Sequence, residues 1–360
     1  MNDFVPALLK EMEWRSDYLG GAAIGTIYLG GGTPSLLDPA ELNLILDRVR
    51  KLFALETHPE ITLEANPDDM TDPGKLTAWR SAGINRLSIG VQSFFDDDLR
   101  WMNRAHNAAQ AADAIRLAQD QGLDNISIDL IYGGPTLPDD RWRHNVETAI
   151  RLEIPHLSCY ALTVEPRTAL DKMIRQHKRP DVDPDDQARQ FLLLMDRMDQ
   201  AGYEHYEISN FARPGRRSRH NSAYWQGTPY LGLGPSAHSY DGVSRQWNIA
   251  NNPKYIAEAA RGVAGLVAEK EVLTEVQQLN EYIMISLRTM EGCDLQRIER
   301  QFGKPAVQDL VKKFEPYVLQ GTAILTQDRV FLSSQGKLLA DRITADLFYD
   351  VFSRPNKTAL

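Results

Sequence analysis

The sequence predicts an α/β fold, a partial TIM-like (β/α)6 barrel followed by a small helical, winged-helix-like module. Three observations predict it. Short apolar, β-rich runs alternate with amphipathic helical stretches, the spacing of right-handed βαβ units and a parallel sheet. A unit of helix, glycine and apolar strand recurs as SAGINRLSIGVQ, DQGLDNISIDLIYG and DQAGYEHYEISNFA. From about residue 270 the alternation stops, and three helical stretches precede a hairpin. About six strands suit an open barrel better than a closed eight-stranded one, and a doubly wound sheet is the competing arrangement.

Phe4, Leu8 and Met12, with Val5 and Leu9 beside them, place a helix at the start. Thr26–Leu29 reads as a strand running into three glycines. Residues 38–53 read as a helix with Asp38 as N-cap, Pro39 at the first position and Glu41 completing a capping box. Ile61–Leu63 is a strand ending at Glu64, and a helix over 73–82 stops at Gly83. Arg86–Val91 is a strand ending at Gln92, and a helix over 107–121 stops at Gly122. Strand Ile126–Asp129, helix 139–152, strand Leu157–Tyr160 and helix 184–201 follow, and Tyr203–Ile208 is read as the last strand. Residues 205–265 show no clear period, being rich in Gly, Pro, Asn and aromatics. Helices at 274–289, 294–302 and 305–319, the hairpin TAILTQDRVFL and a helix near 335–349 complete the chain. The expected division is 1–210 for the barrel, 211–268 for an irregular linker region and 269–360 for the C-terminal module.

Composition narrows the function. At 360 residues with 42% hydrophobic and 25% charged content, the chain can bury a sizeable core. A net charge of -9 argues against nucleic acid as partner, because phosphate contact needs a basic face. No apolar run reaches the length of a membrane span, and the N-terminal residues have no signal-peptide pattern. The two cysteines, Cys159 and Cys293, cannot build a disulfide framework and suit a reducing compartment, so a cytoplasmic location is expected.

Barrel chemistry collects at the C-terminal ends of strands. Here the strand tips carry Gly30-Gly31-Gly32-Thr33-Pro34, Glu64-Ala65-Asn66-Pro67, Gly90-Val91-Gln92, Asp129 with Tyr132-Gly133-Gly134-Pro135, and Tyr160-Ala161-Leu162. Consecutive glycines let a ligand approach backbone N–H groups. Two carboxylates suit an ammonium group and ribose hydroxyls, and Gln92 can read a neutral polar edge. S-adenosylmethionine (SAM) fits this set; a phosphorylated metabolite fits the glycines but is poorly served by two carboxylates.

GGGTP, LEANPDD, GVQSF, NRAH and DLIYGGP, in this order, resemble the oxygen-independent coproporphyrinogen III oxidase-like branch of the radical SAM superfamily. Within it, His220-Asn221-Ser222-Ala223-Tyr224-Trp225 is similar to the HNxxYW signature of HemW-type haem chaperones, as are the flanking YEISNFA and LGLGPSAHSY. The resemblance implies a radical SAM partial barrel with a winged-helix-like C-terminal domain. It implies SAM contacts at Gly31, Gly32, Thr33, Glu64, Gln92, Arg104, Asp129 and Ala161, with Arg104 on a helical segment after the third strand. It implies haem contacts at His220, Tyr224 and Trp225 in a loop; His238 is a second candidate ligand of haem iron that no motif match supports. Arg213, Arg216, Arg217 and Arg219 form either a solvated basic loop or partners for porphyrin propionates.

The family carries CxxxCxxC after its first strand, where three thiolates hold a [4Fe–4S] cluster whose open iron binds SAM. That motif is not in this sequence, and the first barrel strand is expected to be absent with it. A start at an internal methionine (or a shortened chain) and a cluster-free relative are the two explanations. Three functions follow: a carrier handing haem to an acceptor protein, a radical enzyme acting on a porphyrinogen, and a TIM-like enzyme acting on a phosphorylated metabolite. HNxxYW favours the first, and no catalytic residue is assigned.

Overall fold

The computed structural model describes residues 3–262 and 264–350. Its main sheet holds β1 (Ile24–Leu29), β2 (Leu55–Ala65), β3 (Arg86–Gln92), β4 (Ile126–Tyr132), β5 (His156–Ala161), β6 (Glu204–Glu207) and β7 (Asn210–Ala212) in the spatial order β1-β2-β3-β4-β5-β7-β6. Strands β2 to β5 pair in parallel. The helices in this part are α1 (Phe4–Trp14), α2 (Pro39–Leu52), α3 (Pro73–Ala82), α4 (Asp96–Trp101), α5 (Ala108–Asp120), α6 (Asp139–Arg151), α7 (Ala169–Arg175) and α8 (Pro184–Gln200). Their ends follow local chemistry. The Asp38 carboxylate accepts the Ala40 N–H while Glu41 accepts the Asp38 N–H, the capping box expected for α2. Gly83 closes α3 at φ 104°, a left-handed conformation that glycine adopts without steric cost.

The parallel strands are two-faced. Leu63, Leu87, Ile89, Ile126, Ile128, Leu130 and Leu157 are fully buried, as are Trp79 on α3 and Trp142 on α6. Burying each such side chain contributes about 1.5–3 kcal/mol. The alternate positions are polar: Glu60, Thr62 and Glu64 on β2, Arg86, Ser88 and Gln92 on β3, Ser127 and Asp129 on β4, and His156, Ser158 and Tyr160 on β5. The Thr62 hydroxyl is buried on this second face without a hydrogen-bond partner, while the His156 and Arg86 side chains are paired. His156 shares hydrogen bonds with the Ser127 hydroxyl at 2.7 Å and the Tyr206 hydroxyl at 2.7 Å, and burial holds its pKa well below the usual range. Arg86 donates to Asn125 at 3.3 Å; burial lowers its pKa, and the Glu60 carboxylate opposes that shift.

The last strand differs from expectation. Tyr203–Ile208 contains β6, but β6 turns back at once into β7, and it is β7 that pairs with β5, antiparallel. The turn closes because the Glu207 carboxylate accepts the Ser209 N–H at 3.0 Å, while Asn210 accepts from the Ser158 hydroxyl at 2.9 Å. Two short helices, α4 and α7, were also not expected; at six and seven residues they are too brief for a helical period to register.

Residues 211–268 are not irregular. They contain α9 (Arg219–Gln226), β8 (His238–Tyr240), β9 (Ser244–Asn248), α10 (Asn252–Arg261) and β10 (Val267–Val272), with the three strands forming an antiparallel sheet. Elements of three to ten residues, punctuated by Gly and Pro, fall below the length over which periodicity can be read. The C-terminal module has α11 (Glu275–Leu287), β11 (Cys293–Asp294), α12 (Leu295–Phe302), α13 (Lys304–Leu319), β12 (Ala323–Leu325), β13 (Arg329–Leu332), α14 (Ser334–Lys337) and α15 (Ala340–Leu347). The expected hairpin is β12–β13, and β11 adds a third strand in the order β11-β13-β12. The expected final helix is two, α14 and α15.

Packing groups the described residues into two compact units, interleaved in sequence: residues 28–37 with 60–218, and residues 3–27 with 38–59, 219–262 and 264–350. Composition had suggested three consecutive parts instead. The second of these units is pinned by a buried carboxylate. Glu11, fully buried on α1, accepts from Arg15 at 3.1 Å, Asn248 at 2.6 Å, the Gly234 N–H at 2.8 Å and the Tyr255 hydroxyl at 2.6 Å. Arg15 also donates to the Ser239 hydroxyl and the Gly232 carbonyl. Replacing Glu11 with Ala leaves the buried Arg15 guanidinium without its counter-charge, so urea denaturation of the full chain is expected to show a loss of about 3–5 kcal/mol.

Candidate functional site

The glycines after β1 serve two different needs. At Gly30, an added Cβ would lie 2.5 Å from the Tyr28 ring and 2.8 Å from the Glu64 carboxylate, so the contact itself requires glycine. Gly31 and Gly32 have open space around them but φ of 80° and 60°, so there the backbone conformation requires it. Glu64, at the tip of β2, is held from both sides: Oε1 accepts the Tyr28 hydroxyl at 2.7 Å and Oε2 accepts the Gly31 N–H at 2.9 Å. Burial and the adjacent Glu64 carboxylate push the Tyr28 phenol far up, so it stays protonated and remains a donor. Thr33 precedes a short 3-10 turn over Pro34–Leu36, and Ser35 in that turn donates to Asp69 beyond β2 at 2.6 Å.

A second cluster surrounds Gly90 on β3. Arg104 donates to Asn66 Oδ1 at 2.7 Å and to the Gly90 carbonyl at 3.3 Å. A Cβ at Gly90 would meet the Gln92 amide, the Arg104 guanidinium and the Asn66 amide at 3.1, 3.2 and 3.3 Å. Three polar ends from three segments thus converge where a side chain is missing. Arg104 lies in the turn between α4 and α5, not on a helical segment as expected, because Asn103 takes a left-handed φ of 56° and ends the helix. Gln92 also has a left-handed backbone, φ 68°, at a break in the β3–β4 register.

Asp129, half-buried on β4, completes the group. Burial first, and then the Glu64 carboxylate, push its pKa up to about 7, against the lowering effect of Ser158, Arg86 and Arg104. Ala161 ends β5 opposite Tyr132. The expected residues of the strand tips therefore gather within one packing unit. Tyr28 and Asn66 were not singled out from sequence, although Asn66 stands inside LEANPDD. These residues fit SAM: glycine N–H groups, one carboxylate already oriented, and a second short of donors that ribose hydroxyls or an ammonium group can supply.

The residues do not fit a [4Fe–4S] cluster. Such a cluster takes three thiolates, and Cys159 and Cys293 are both buried and belong to different packing units. Burial pushes both thiols up, Cys293 to about 12, and the Cys293 Sγ shares a hydrogen bond with Ser286 at 2.8 Å. Among the described residues, no group of three or more His, Cys, Asp or Glu side chains is placed to hold a metal ion.

The HNxxYW residues lie on α9 and not in a loop as expected; residues 219–226 are too short a stretch to declare themselves helical by period. His220 Nδ1 shares a hydrogen bond with Thr26 Oγ1 at 2.8 Å, and burial lowers its pKa to about 4, so the imidazole is neutral at neutral pH. Its ring meets Tyr224 edge-on at 5.0 Å, and Tyr224 meets Tyr230 edge-on at 4.7 Å. The Trp225 ring carries Arg288 at 5.4 Å, and its indole Nε1 is buried without a hydrogen-bond partner. His238 is exposed and stacked on Trp247. The arginines ahead of His220 have partners within the protein: Arg216 faces Asp124, Arg217 Glu204 and Arg219 Glu56, while Arg213 lies over Tyr203.

A curled, largely parallel sheet with glycines and carboxylates at its strand tips is the radical SAM architecture, and the family model for the Radical SAM superfamily matches residues 9–149. The HemN C-terminal domain model matches residues 273–339. The chain is 36% identical to "Heme chaperone HemW" of Mycobacterium tuberculosis (strain ATCC 25618 / H37Rv), over 95% of this chain and 85% of that protein. It is 32% identical to the protein of the same name from Bacillus subtilis (strain 168), over 95% and 90%. It is 38% identical to the Escherichia coli (strain K12) one, over 66% and 61%. The chain belongs to the HemW family of the radical SAM superfamily. Coproporphyrinogen III oxidase (HemN) from Escherichia coli shares the fold, with a TM-score of 0.83 at 23% identity over 97% of this chain and 83% of that one.

Two outcomes are expected. Because the Asp129 pKa is raised by folding, the folded state holds its proton more tightly than the unfolded chain does. Stability then falls as pH rises from about 4 and levels off above about 7. Asp129→Asn removes that slope, so its thermal midpoint exceeds the parent's at pH 8 and converges with it near pH 4. Anaerobic reconstitution of this chain with iron and sulfide should give no stoichiometric [4Fe–4S] absorbance.

Proposed function

We propose that the protein is a haem chaperone: it binds haem as cargo and passes it to an acceptor protein, with SAM bound at the strand tips. The observation that carries the haem reading is the HNxxYW helix in a chain of the HemW family. There a neutral imidazole, His220, stands against the edge of Tyr224 on the same short helix. A neutral imidazole is the form that ligates iron. The His220 Nδ1 is turned to Thr26, which fixes the ring. Tyr224, which is exposed, and Tyr230 would supply aromatic surface for the porphyrin. The buried Trp225 N–H is a donor suited to a propionate. Arg216, Arg217 and Arg219 already face carboxylates, which speaks against giving them the propionates.

On the same reading SAM lies against Gly31, Gly32 and Thr33, with Glu64 and Asp129 accepting from its ammonium and ribose hydroxyls. Gln92, Arg104 and Ala161 bound the rest of it. A [4Fe–4S] cluster belongs to the family pattern, but no residue of this sequence is assigned to it. No helix among the described residues is long and apolar enough to cross a membrane, and with two reduced, buried cysteines a cytoplasmic location fits.

Titration of the full chain with haemin tests the haem site. His220→Ala is expected to shift or abolish the Soret band, whereas His238→Ala has the smaller effect and Glu64→Gln leaves the band unchanged. With the His220 pKa near 4, binding should be flat across about pH 5 to 8 and weaken as pH falls toward 4. A His220→Ala protein that titrates like the parent would remove His220 as the ligand.

A further inference from the structure

Gln92 is the one residue of the proposed SAM set whose backbone takes a left-handed conformation without being glycine, φ 68°. An L residue persists there only when its surroundings impose it. The surroundings are a buried polar lattice immediately after it. The Ser93 hydroxyl donates to Asp98 Oδ2 at 2.8 Å, and accepts from Asn145 Nδ2 at 3.1 Å and the Phe95 N–H at 3.2 Å. Asn145 Oδ1 in turn accepts the Phe94 N–H at 2.9 Å. The other Asp98 oxygen accepts from Thr136 at 2.8 Å, and Thr136 stands in the loop leaving β4. Ser93, Asp98 and Asn145 are all essentially out of solvent. The lattice therefore ties the exit of β3 to α4, to α6 and to the exit of β4, the strand that carries Asp129.

The opposite side of the β3 tip is also held. His106 Nε2 bonds the Val91 carbonyl at 3.0 Å, and Arg104 bonds the Gly90 carbonyl. The backbone on both sides of Gln92 is thus held, Gln92 itself pairs with Leu130 of β4, the Ser93 N–H bonds the Val91 carbonyl across it at 2.9 Å, and its side-chain amide lies beside Gly90, Arg104 and Asn66. A carboxylate suits the centre of such a lattice because it accepts on both oxygens, from two segments, without needing to donate.

We propose that Asp98 is a positioning residue of the SAM site: by bridging Ser93 and Thr136 it imposes the left-handed turn that aims the Gln92 amide. The proposal rests on the SAM reading above. Asp98 touches no ligand and acts through Gln92, and this separates it from a residue that merely stabilises the fold.

The test is a double-mutant cycle on the full chain, measuring SAM affinity by calorimetric titration alongside thermal midpoints. Asp98→Asn and Gln92→Ala are each expected to weaken SAM by about tenfold, a coupling typical of residues in one network. The double variant should bind no more weakly than Gln92→Ala alone, because Asp98 has nothing left to position. Ser93→Ala, which breaks the same bridge, replaces Asp98→Asn in the cycle if that variant does not fold. Losses that multiply in the double variant, or an Asp98→Asn protein that is less stable but binds SAM like the parent, would overturn the proposal while leaving the SAM site in place. A parent chain that binds no SAM overturns the SAM reading and this proposal together.

Discussion

The inner face of the parallel sheet is polar, and the charged and ring groups it hides depend on partners within the protein. A buried donor or acceptor without a partner costs about 1–3 kcal/mol, so the strands can carry Arg86, His156, Ser158 and Glu64 inward only with partners already arranged. Asn125 serves Arg86, Ser127 and Tyr206 serve His156, Asn210 serves Ser158, and Tyr28 with the Gly31 N–H serves Glu64. The antiparallel strand β7 belongs to this account as well, since it brings Asn210 to Ser158. Asp129 is raised in pKa by burial first and then by the Glu64 carboxylate beside it. Where the lattice is complete it makes structure.

The same rule operates in the other packing unit, with a different result. Glu11 and Arg15 are buried together, and each carries further hydrogen bonds to the 232–248 segment, so the charge pair fixes where that segment lies against α1. Buried pairs of this kind add little net stability over apolar packing, but losing one partner is costly, so they define an arrangement more than they strengthen it. On α9, burial keeps His220 neutral.

Much of the barrel was legible in the sequence. Asp38, Pro39 and Glu41 announced the start of α2, and Gly83 the end of α3, because capping and left-handed termination depend on residues next to one another. The strand-tip residues were legible as a set because a parallel barrel places every strand end at one face, so that Glu64, Gln92 and Asp129 could be grouped from their positions alone. What failed was short or reversed. The six residues of α4, the eight of α9 and the turn from β6 into β7 are too brief to impose a period, and the left-handed Asn103 that moves Arg104 off a helix is set by tertiary packing.

The sequence by itself determined the alternation of strand and helix, the polar face of each strand, the helix caps and the motif order that places the chain in its family. Those properties are written in residues a few positions apart, where backbone geometry alone relates them. Only the tertiary structure decided that Tyr28 orients Glu64, that Asn66 and Arg104 meet over Gly90, that Ser93, Asp98, Asn145 and Thr136 form one lattice, and that Thr26 holds His220. Each of these joins residues distant in the chain, brought together by the packing of several elements at once. Their proximity is a property of the assembled core, which no local pattern records.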